Sequence, residues 1–522
     1  MTGSRKLLSL ACMLMLAAIV ALSGCSSNGN NNDGASPSTS PSGEASGESS
    51  PSPEPSKAPE LPPYKITMFV PGAGAPQDIK LVNEAISAHL KDKLNLSFEL
   101  TVIEWASWQE KMNLKFASSE AFDLIWTVAW DGFTTKIKQK AIIDMTDLID
   151  QFAPDAKQII NPALLEGAKY NGRNYSLPVN KEMASQRGIL LRKDLVEKHG
   201  IDIAAIKTFE DLEPIYEKIK AAEPGVTPLY IDKGSNLPNM ASVGDFDTVG
   251  GGKDGIVRGT SDYKVVSMVQ SPQYRKWIDL ARKWYLAGYV NKDAATTQDM
   301  GGALKAGKAF SVFDYLKPGK DAEVSTATGF DWVQVPLTKP IIATGDTTGS
   351  MMSISRTSKD PERVMQFLNL LYTDKELVNL LAFGIEGKHY AKVAGKDNVI
   401  DFPEGVTAQS SGYNLNSAYM FGNQFLDYLW ANEDPKKWDN FKTFNDSAES
   451  SLVLGFNFDP EAVKNESAAL ANVAKEYDPG LVTGTLDPEE IMPKYIDKLR
   501  ASGSEKVIAE KQKQLDAWRA AK

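Results

Sequence analysis

Beyond residue 63 the chain alternates between strand-like and helix-like patterning, and this alternation limits the possible folds more than any other feature. Residues 65–70 alternate apolar and polar side chains like a half-buried strand, residues 76–90 carry apolar groups at helical spacing, and residues 96–103 return to the strand period. The domain therefore opens β-α-β. Further strand-like runs occupy 123–127, 188–191, 229–232, 309–313 and 351–355, with helical stretches between them. Strands separated by helices predict a layered α/β architecture, because each helix must bury its apolar stripe against a sheet.

Helix starts are marked where a capping side chain precedes proline: Ser271-Pro272, Asp360-Pro361, Asp434-Pro435, Asp459-Pro460 and Asp487-Pro488. Thr208 with Asp211 adds a capping-box pair. The proline signals crowd toward the C-terminus, where strand patterns vanish, so a mostly helical extension is expected at 451–522.

The N-terminal segment is of another kind. Arg5 and Lys6 precede an apolar run at 7–22, and Leu22-Ser23-Gly24-Cys25 resembles a bacterial lipoprotein signal, whose thiol carries the lipid after cleavage before it. The run is shorter than the roughly 20 residues that span a bilayer, and no stop-transfer pattern follows it. Residues 1–24 are thus expected to be a signal peptide and Cys25 the lipidation site. From 25 to 63 Ser, Pro, Gly and Asn dominate, so the segment reads as a tether that cannot build a core; as a flexible coil it spans about 30 to 35 Å. Cys12 leaves with the signal, so Cys25 has no disulfide partner and stability must come from large cores.

The net charge is −10, and losing Arg5 and Lys6 with the signal takes it to −12. No basic stripe interrupts the mixed charges, which excludes nucleic acid as a partner and favours a neutral ligand. His89, His199 and His389 lack the spacing of a zinc site, so no metal or cofactor is expected.

Several segments carry a family resemblance: Ala121-Phe122-Asp123-Leu124-Ile125-Trp126, Tyr170-Asn171-Gly172-Arg173-Asn174-Tyr175-Ser176-Leu177-Pro178, and Gly307-Lys308-Ala309 entering a strand. The body resembles family 1 extracellular solute-binding proteins, the receptor lipoproteins of ATP-driven sugar importers. Phe383-Gly384-Ile385-Glu386-Gly387-Lys388-His389-Tyr390, Gly455-Phe456-Asn457-Phe458-Asp459-Pro460, Val463-Lys464-Asn465-Glu466 and Gln512-Lys513-Gln514-Leu515-Asp516-Ala517-Trp518 are similar to a subgroup with an uncharacterised helical C-terminal domain. The resemblance implies a two-lobed, type II periplasmic-binding-protein-like fold with discontinuous lobes and a ligand cleft between them. By the same resemblance one lobe comprises 64–178 plus about 308–350 and the other 179–307 plus about 351–450. The implied partners are a carbohydrate ligand, the transmembrane permease subunits of an ABC importer, and the membrane through the lipid on Cys25. The chain is expected to be a monomer on the extracellular face of a Gram-positive-type cell membrane. Pro178, Val179 and Asn180, and later Gly349, are the hinge candidates.

Sugars present C–H patches that stack on aromatic rings, while their hydroxyls need directed polar groups. Trp126 and Trp130 follow a strand whose C-terminal end should open on the cleft, where α/β sheets place ligands. Of Trp105 and Trp108, one is expected in the core. Asp314 and Tyr315 follow the strand at 309–313 and join the ligand candidates with Asp131 and Asp247. Glu386 and His389 read as structural, a carboxylate locking the helical tail onto the body.

Two motifs fail on inspection. Gly302-Ala303-Leu304-Lys305-Ala306-Gly307-Lys308 has phosphate-loop spacing, but Ala309 replaces the magnesium-binding hydroxyl and the segment closes a helix instead of opening one. Asp245-Phe246-Asp247 with Gly250-Gly251-Gly252 suggests a calcium loop, yet Val249 and Ile256 occupy ligand positions, leaving a glycine loop. The alternative function is a surface-anchored glycoside hydrolase or other carbohydrate-active enzyme. It would need two carboxylates roughly 5 to 10 Å apart, drawn from Asp123, Asp131, Asp314 and Glu386. A purely structural lipoprotein would be favoured by internal repeats, and the chain has none.

Overall fold

The computed structural model describes residues 61–297 and 299–522. The signal, Cys25 and most of the tether lie outside the described residues. Among the described residues, no helix is long and apolar enough to cross a membrane.

Two sheets organise the body. In the first, Leu96–Glu104 pairs in parallel with Tyr64–Gly72, which pairs in parallel with Leu124–Thr127. Met351–Ile354 runs antiparallel to Leu124–Thr127, and the two-residue strand Leu177–Pro178 closes the edge. Ile66, Met68, Val70, Leu124 and Ile125 are buried, as expected of strands covered on both faces by helices. In the second sheet the order is Trp332–Pro336, Gln186–Arg192, Ala309–Leu316, Thr227–Leu229. The first two pairings are antiparallel and the last parallel. Gly188 is required there, because a Cβ would stand 2.3 Å from the Val335 carbonyl oxygen.

Each sheet has its own core, so the body is two-lobed. Ile66, Leu124, Ile354, Val364, Phe367 and Leu371 belong to the first, and Ile189, Tyr216, Leu229, Trp284 and Phe313 to the second. The chain is discontinuous between the lobes as the resemblance implied, but the returning segments are exchanged. The strand at 309–316 lies in the second sheet, not the first, and 351–354 returns to the first sheet and takes the helices at 361–373 and 375–383 with it. The expected assignment of 308–350 to the first lobe and 351–450 to the second is corrected accordingly. Both returning strands carry a short, buried and mainly apolar run, 309–313 and 351–354, and such a run holds nothing that names its neighbours.

Local signals held well. Ser271, Asp360 and Asp487 each cap the helix that starts at the following proline. Asp434 and Asp459 instead open tight turns, accepting from Lys436 N–H at 2.8 Å and Glu461 N–H at 3.1 Å, and their helices start at Lys437 and Lys464. Asn171 and Gly172 take positive φ angles of 50° and 77° in a two-residue hairpin between Lys169–Tyr170 and Arg173–Asn174. The strand expected at 229–232 ends at Leu229.

The C-terminal helices Lys464–Val482, Pro488–Ala501 and Ser504–Ala520 pack mainly on the second lobe. Val473, Leu481, Met492 and Tyr495 share a core with Val269, Tyr274 and Ile278, while Phe456 and Leu515 cover Val249, Ile256 and Val265. The glycine loop lies under this extension: a Cβ on Gly250 would meet Phe458, and Lys511 donates to the Gly251 carbonyl at 2.7 Å. Lys138–Asp459 at 2.6 Å and Lys522–Glu166 at 3.1 Å reach back to the first lobe.

Candidate functional site

Backbone segments between 178 and 185 and between 341 and 350 join the lobes and fix which sheet ends face each other, and a third at 449–456, paired through Glu449–Ser450 with Ile341–Ile342, leads into the C-terminal extension. Met351 pairs with both Thr127 and Pro178, so the chain leaves and re-enters the first sheet at the end where Leu124–Thr127 finishes. Val179 N–H donates to the Ser350 carbonyl at 3.0 Å, and Asn180 N–H to that of Gly422 at 2.8 Å. On the second lobe, Ser185 bridges Ile341, and one residue later Gln186 pairs with Leu316. The facing ends are therefore the C-terminal ends of 64–72, 96–104 and 124–127 on one side, and the Gln186–Arg187 and Tyr315–Leu316 end on the other. Pro178, Val179, Asn180 and Gly349 all lie in the joining segments.

The first lobe presents indoles there. Trp105 follows Glu104 in a short 3-10 turn and is 44% exposed; Trp130 sits in the turn Ala129–Asp131 and is 64% exposed. Ala129 N–H donates to the Thr348 carbonyl at 3.1 Å, which pins the Trp130 turn to the joining segment. Trp126 lies beneath both rings, its centroid 5.7 Å from Trp105 and 6.0 Å from Trp130, edge to face. It is 2% exposed, and its Nε1–H donates to Ser350 Oγ at 2.9 Å. Trp126 thus supports the surface instead of forming it, and Trp105 takes the exposed place. Trp108 is the buried member of its pair.

The second lobe presents charge. Arg187 stacks on the Tyr315 ring, guanidinium carbon 3.7 Å from the centroid, and Tyr315 is 57% exposed. Arg187 is buried, yet its Nε and Nη1 find no hydrogen-bond partner. Burial pushes this guanidinium below its ordinary value, against the opposing pull of Tyr315, Asp346 and Asp314. Asp314 is partly exposed; its Oδ1 accepts from Tyr315 N–H and its Oδ2 lies 3.5 Å from Lys320. Beside them, Lys317 lies 3.4 Å from Glu182, whose carboxyl burial pushes up but Lys181 and Lys317 hold below its usual range. Arg187, Lys317, Glu182 and Trp105 were missed as site residues. The one available signal was a charge at position 187 directly before the apolar run 188–191.

Two expected ligand groups are consumed internally. Asp131 is buried, accepting from Trp108 Nε1–H at 2.8 Å and pairing with Lys136 at 3.1 Å. Asp247 is buried against Arg258 at 2.6 Å, beneath the C-terminal extension. Neither faces the indole surface or the Arg187–Tyr315 end as a free carboxylate, each being paired to a cation. Glu386 does not hold the tail either: it is exposed and pairs with Lys392 at 2.9 Å, while His389 is the buried member, with Nε2 3.1 Å from Asp78.

The profile described as bacterial extracellular solute-binding protein matches residues 78–377, and a domain of unknown function, DUF3502, matches residues 452–520. A "carbohydrate ABC transporter substrate-binding protein" of Streptococcus pneumoniae is 30% identical over 434 residues, covering 82% of this chain and 86% of that protein. The crystal structure of the N-glycan transport solute binding protein NgtS from the same organism superposes with a TM-score of 0.77 at 28% identity, covering 88% of this chain and 99% of that one. NgtS in complex with Man5GlcNAc superposes at 0.64, again at 28% identity, with 88% and 99% covered. This chain therefore belongs to the bacterial extracellular solute-binding protein family.

Proposed function

We propose that the protein is the extracellular substrate-binding component of an ABC importer, and that it captures an oligosaccharide between the indoles of the first lobe and the Arg187–Tyr315 pair of the second. The observation that carries this is the pairing of surfaces: exposed aromatic rings on one facing end, unpaired N–H donors on the other. A sugar ring needs both, C–H faces against indole and hydroxyl oxygens toward donors. Man5GlcNAc, the glycan in the NgtS complex, is the first ligand class to test.

Lipid on Cys25 and the tether would hold the body, as a monomer and without cofactor, within reach of the permease. Closure about Pro178, Val179, Asn180 and Gly349 would bring Arg187 and Tyr315 over a ligand resting on Trp105 and Trp130. The lower superposition with glycan-bound NgtS than with the first NgtS structure, at equal identity, supports this, since moving two rigid lobes changes a whole-chain fit without changing either lobe. The receptor reading is favoured over the hydrolase one by how the four candidate carboxylates are engaged. Asp123 accepts from Tyr64 O–H at 2.5 Å and from Thr67 N–H at 3.0 Å, Asp131 is tied to Lys136, Asp314 belongs to the other lobe, and Glu386 pairs with Lys392.

Titration calorimetry of the mature protein against a glycan panel that includes Man5GlcNAc tests the proposal. Binding near 1 μM, about −8 kcal/mol, with the glycan recovered intact is the expected result. Steady cleavage of a chromogenic glycoside, with no saccharide retained, would replace the receptor by an enzyme.

A further inference from the structure

The first lobe also contains a small pocket apart from the indole surface. Phe383, Tyr428, Trp430 and Trp438 wall it, Gln424 and Asp427 line it, and its volume is about 170 Å³. That space admits one sugar ring but falls below the roughly 300 to 1,000 Å³ of pockets for drug-sized molecules.

Its polar groups are unsatisfied. Asp427 is 3% exposed, yet neither carboxyl oxygen has a hydrogen-bond partner, and Gln424 Oε1 has none either. Buried polar side chains are nearly always paired, so three orphan acceptors around one cavity point to donors that arrive with a guest. The carboxyl is held in place by its backbone. Trp438 Nε1–H donates to the Asp427 carbonyl at 3.0 Å, while the Asn379 amide donates to the Leu426 carbonyl at 3.0 Å and accepts from Tyr428 N–H at 2.8 Å.

The surroundings select the guest. Ammonium groups of Lys375 and Lys392 lie 5.0 and 5.8 Å from the Tyr428 ring centroid, and that of Lys437 lies 4.6 Å from Trp438, so a cationic guest would be repelled. An anion would meet the Glu433 carboxylate at the pocket wall. Burial pushes the Asp427 carboxyl well above its ordinary range, Lys437 opposing and Glu433 adding to the effect. A neutral acid both donates and accepts, which matches the two-way bonding of a sugar hydroxyl. The position matches as well. Gln424 N–H donates to the Asn180 carbonyl in the joining segment at 2.9 Å, and the Tyr419 carbonyl at the pocket edge accepts from Ser350 Oγ, the partner of Trp126.

We propose that this pocket is a second carbohydrate subsite, which seats one neutral pyranose of an oligosaccharide whose remainder lies on Trp105 and Trp130. The proposal rests on the carbohydrate reading above, and the test separates the two. Saturation-transfer NMR with glucose, galactose, mannose and N-acetylglucosamine is run on the wild type, D427L, D427N and the double variant W105A/W130A. Transfer to at least one monosaccharide should persist in W105A/W130A, vanish in D427L and survive in D427N, whose amide also donates and accepts, while Man5GlcNAc affinity in D427L falls about tenfold. D427L should melt at a higher temperature than wild type, because it removes an unpaired buried carboxyl. No transfer from the wild type to any of the four sugars, or transfer that D427L leaves unchanged, overturns the subsite. Asp427-dependent transfer without any Man5GlcNAc binding supports the subsite and overturns the cleft reading instead. If D427L does not fold, D427A decides.

Discussion

The two facing ends solve the problem of holding a sugar in opposite ways. The first lobe offers a preformed apolar platform, in which two exposed indoles are fixed by buried Trp126 and Trp108, and Trp126 is itself fixed by Ser350. The second offers long charged side chains whose donors are incompletely matched, Arg187 foremost. A rigid platform gives up little side-chain freedom when a ligand lands on it, whereas unmatched donors gain most when a ligand is brought to them. The contrast implies an order of events: the sugar lands on the first lobe, and the second is drawn over by the hydroxyls it meets.

The strongest way to break this contrast is to remove the support beneath the platform. Trp126→Ala deletes a buried indole and should cost about 3 to 5 kcal/mol of stability, read from urea unfolding of the mature protein. A loss below about 1 kcal/mol would mean that the platform stands without it. Next in size is the platform itself against the donors. Trp105→Ala with Trp130→Ala should leave stability within about 1 kcal/mol, since both rings are exposed, but weaken glycan binding by about 2 to 4 kcal/mol. Arg187→Met should weaken binding by only about 1 to 2 kcal/mol and leave stability unchanged or slightly higher, because it removes a buried cation with unpaired N–H groups. Calorimetry and melting curves on the three proteins rank the two surfaces, and a larger binding loss in Arg187→Met would reverse the contrast.

The same residues show how much of this was legible in the sequence. Strand positions were, because burial on both faces leaves a continuous apolar run, and proline after a capping side chain marks helix starts at Pro272, Pro361 and Pro488. The ends of strands were legible only in part: Trp130 does follow the strand 124–127, but the strand expected at 309–313 runs on to Leu316 and holds Asp314 and Tyr315 within it. Sheet membership was not. Strands 309–316 and 351–354 carry the same apolar pattern, and only long-range pairing with 186–192 and 124–127 separates them. Side-chain fate was the other loss. Trp126 and Trp130 are four residues apart, but one belongs to a strand buried on both faces and the next to a turn, so four positions carry the ring from core to solvent. Asp131 and Asp247 had the right residue type for sugar hydroxyls, and what disqualified them was Lys136 and Arg258, cations that chain folding brings within salt-bridge distance.

The smallest expected effect sharpens the second lobe's side of the comparison. Burial alone would raise the Glu182 carboxyl, and Lys181 and Lys317 more than offset it, so its folded pKa lies below the unfolded value of about 4.3. A depressed carboxyl contributes stability that is present above the unfolded pKa and is lost as pH falls through the folded one. Wild type should therefore lose stability between pH 5 and its folded Glu182 pKa more steeply than Glu182→Gln, as followed by melting temperature across that window. The difference isolates Glu182 with its pairs to Lys181 and Lys317, because the remaining carboxylates titrate alike in both proteins. Parallel curves would show that neither Lys181 nor Lys317 holds Glu182, leaving Glu323 at 3.7 Å as the carboxylate that matches Lys317 and Arg187 as the less matched cation of the second lobe.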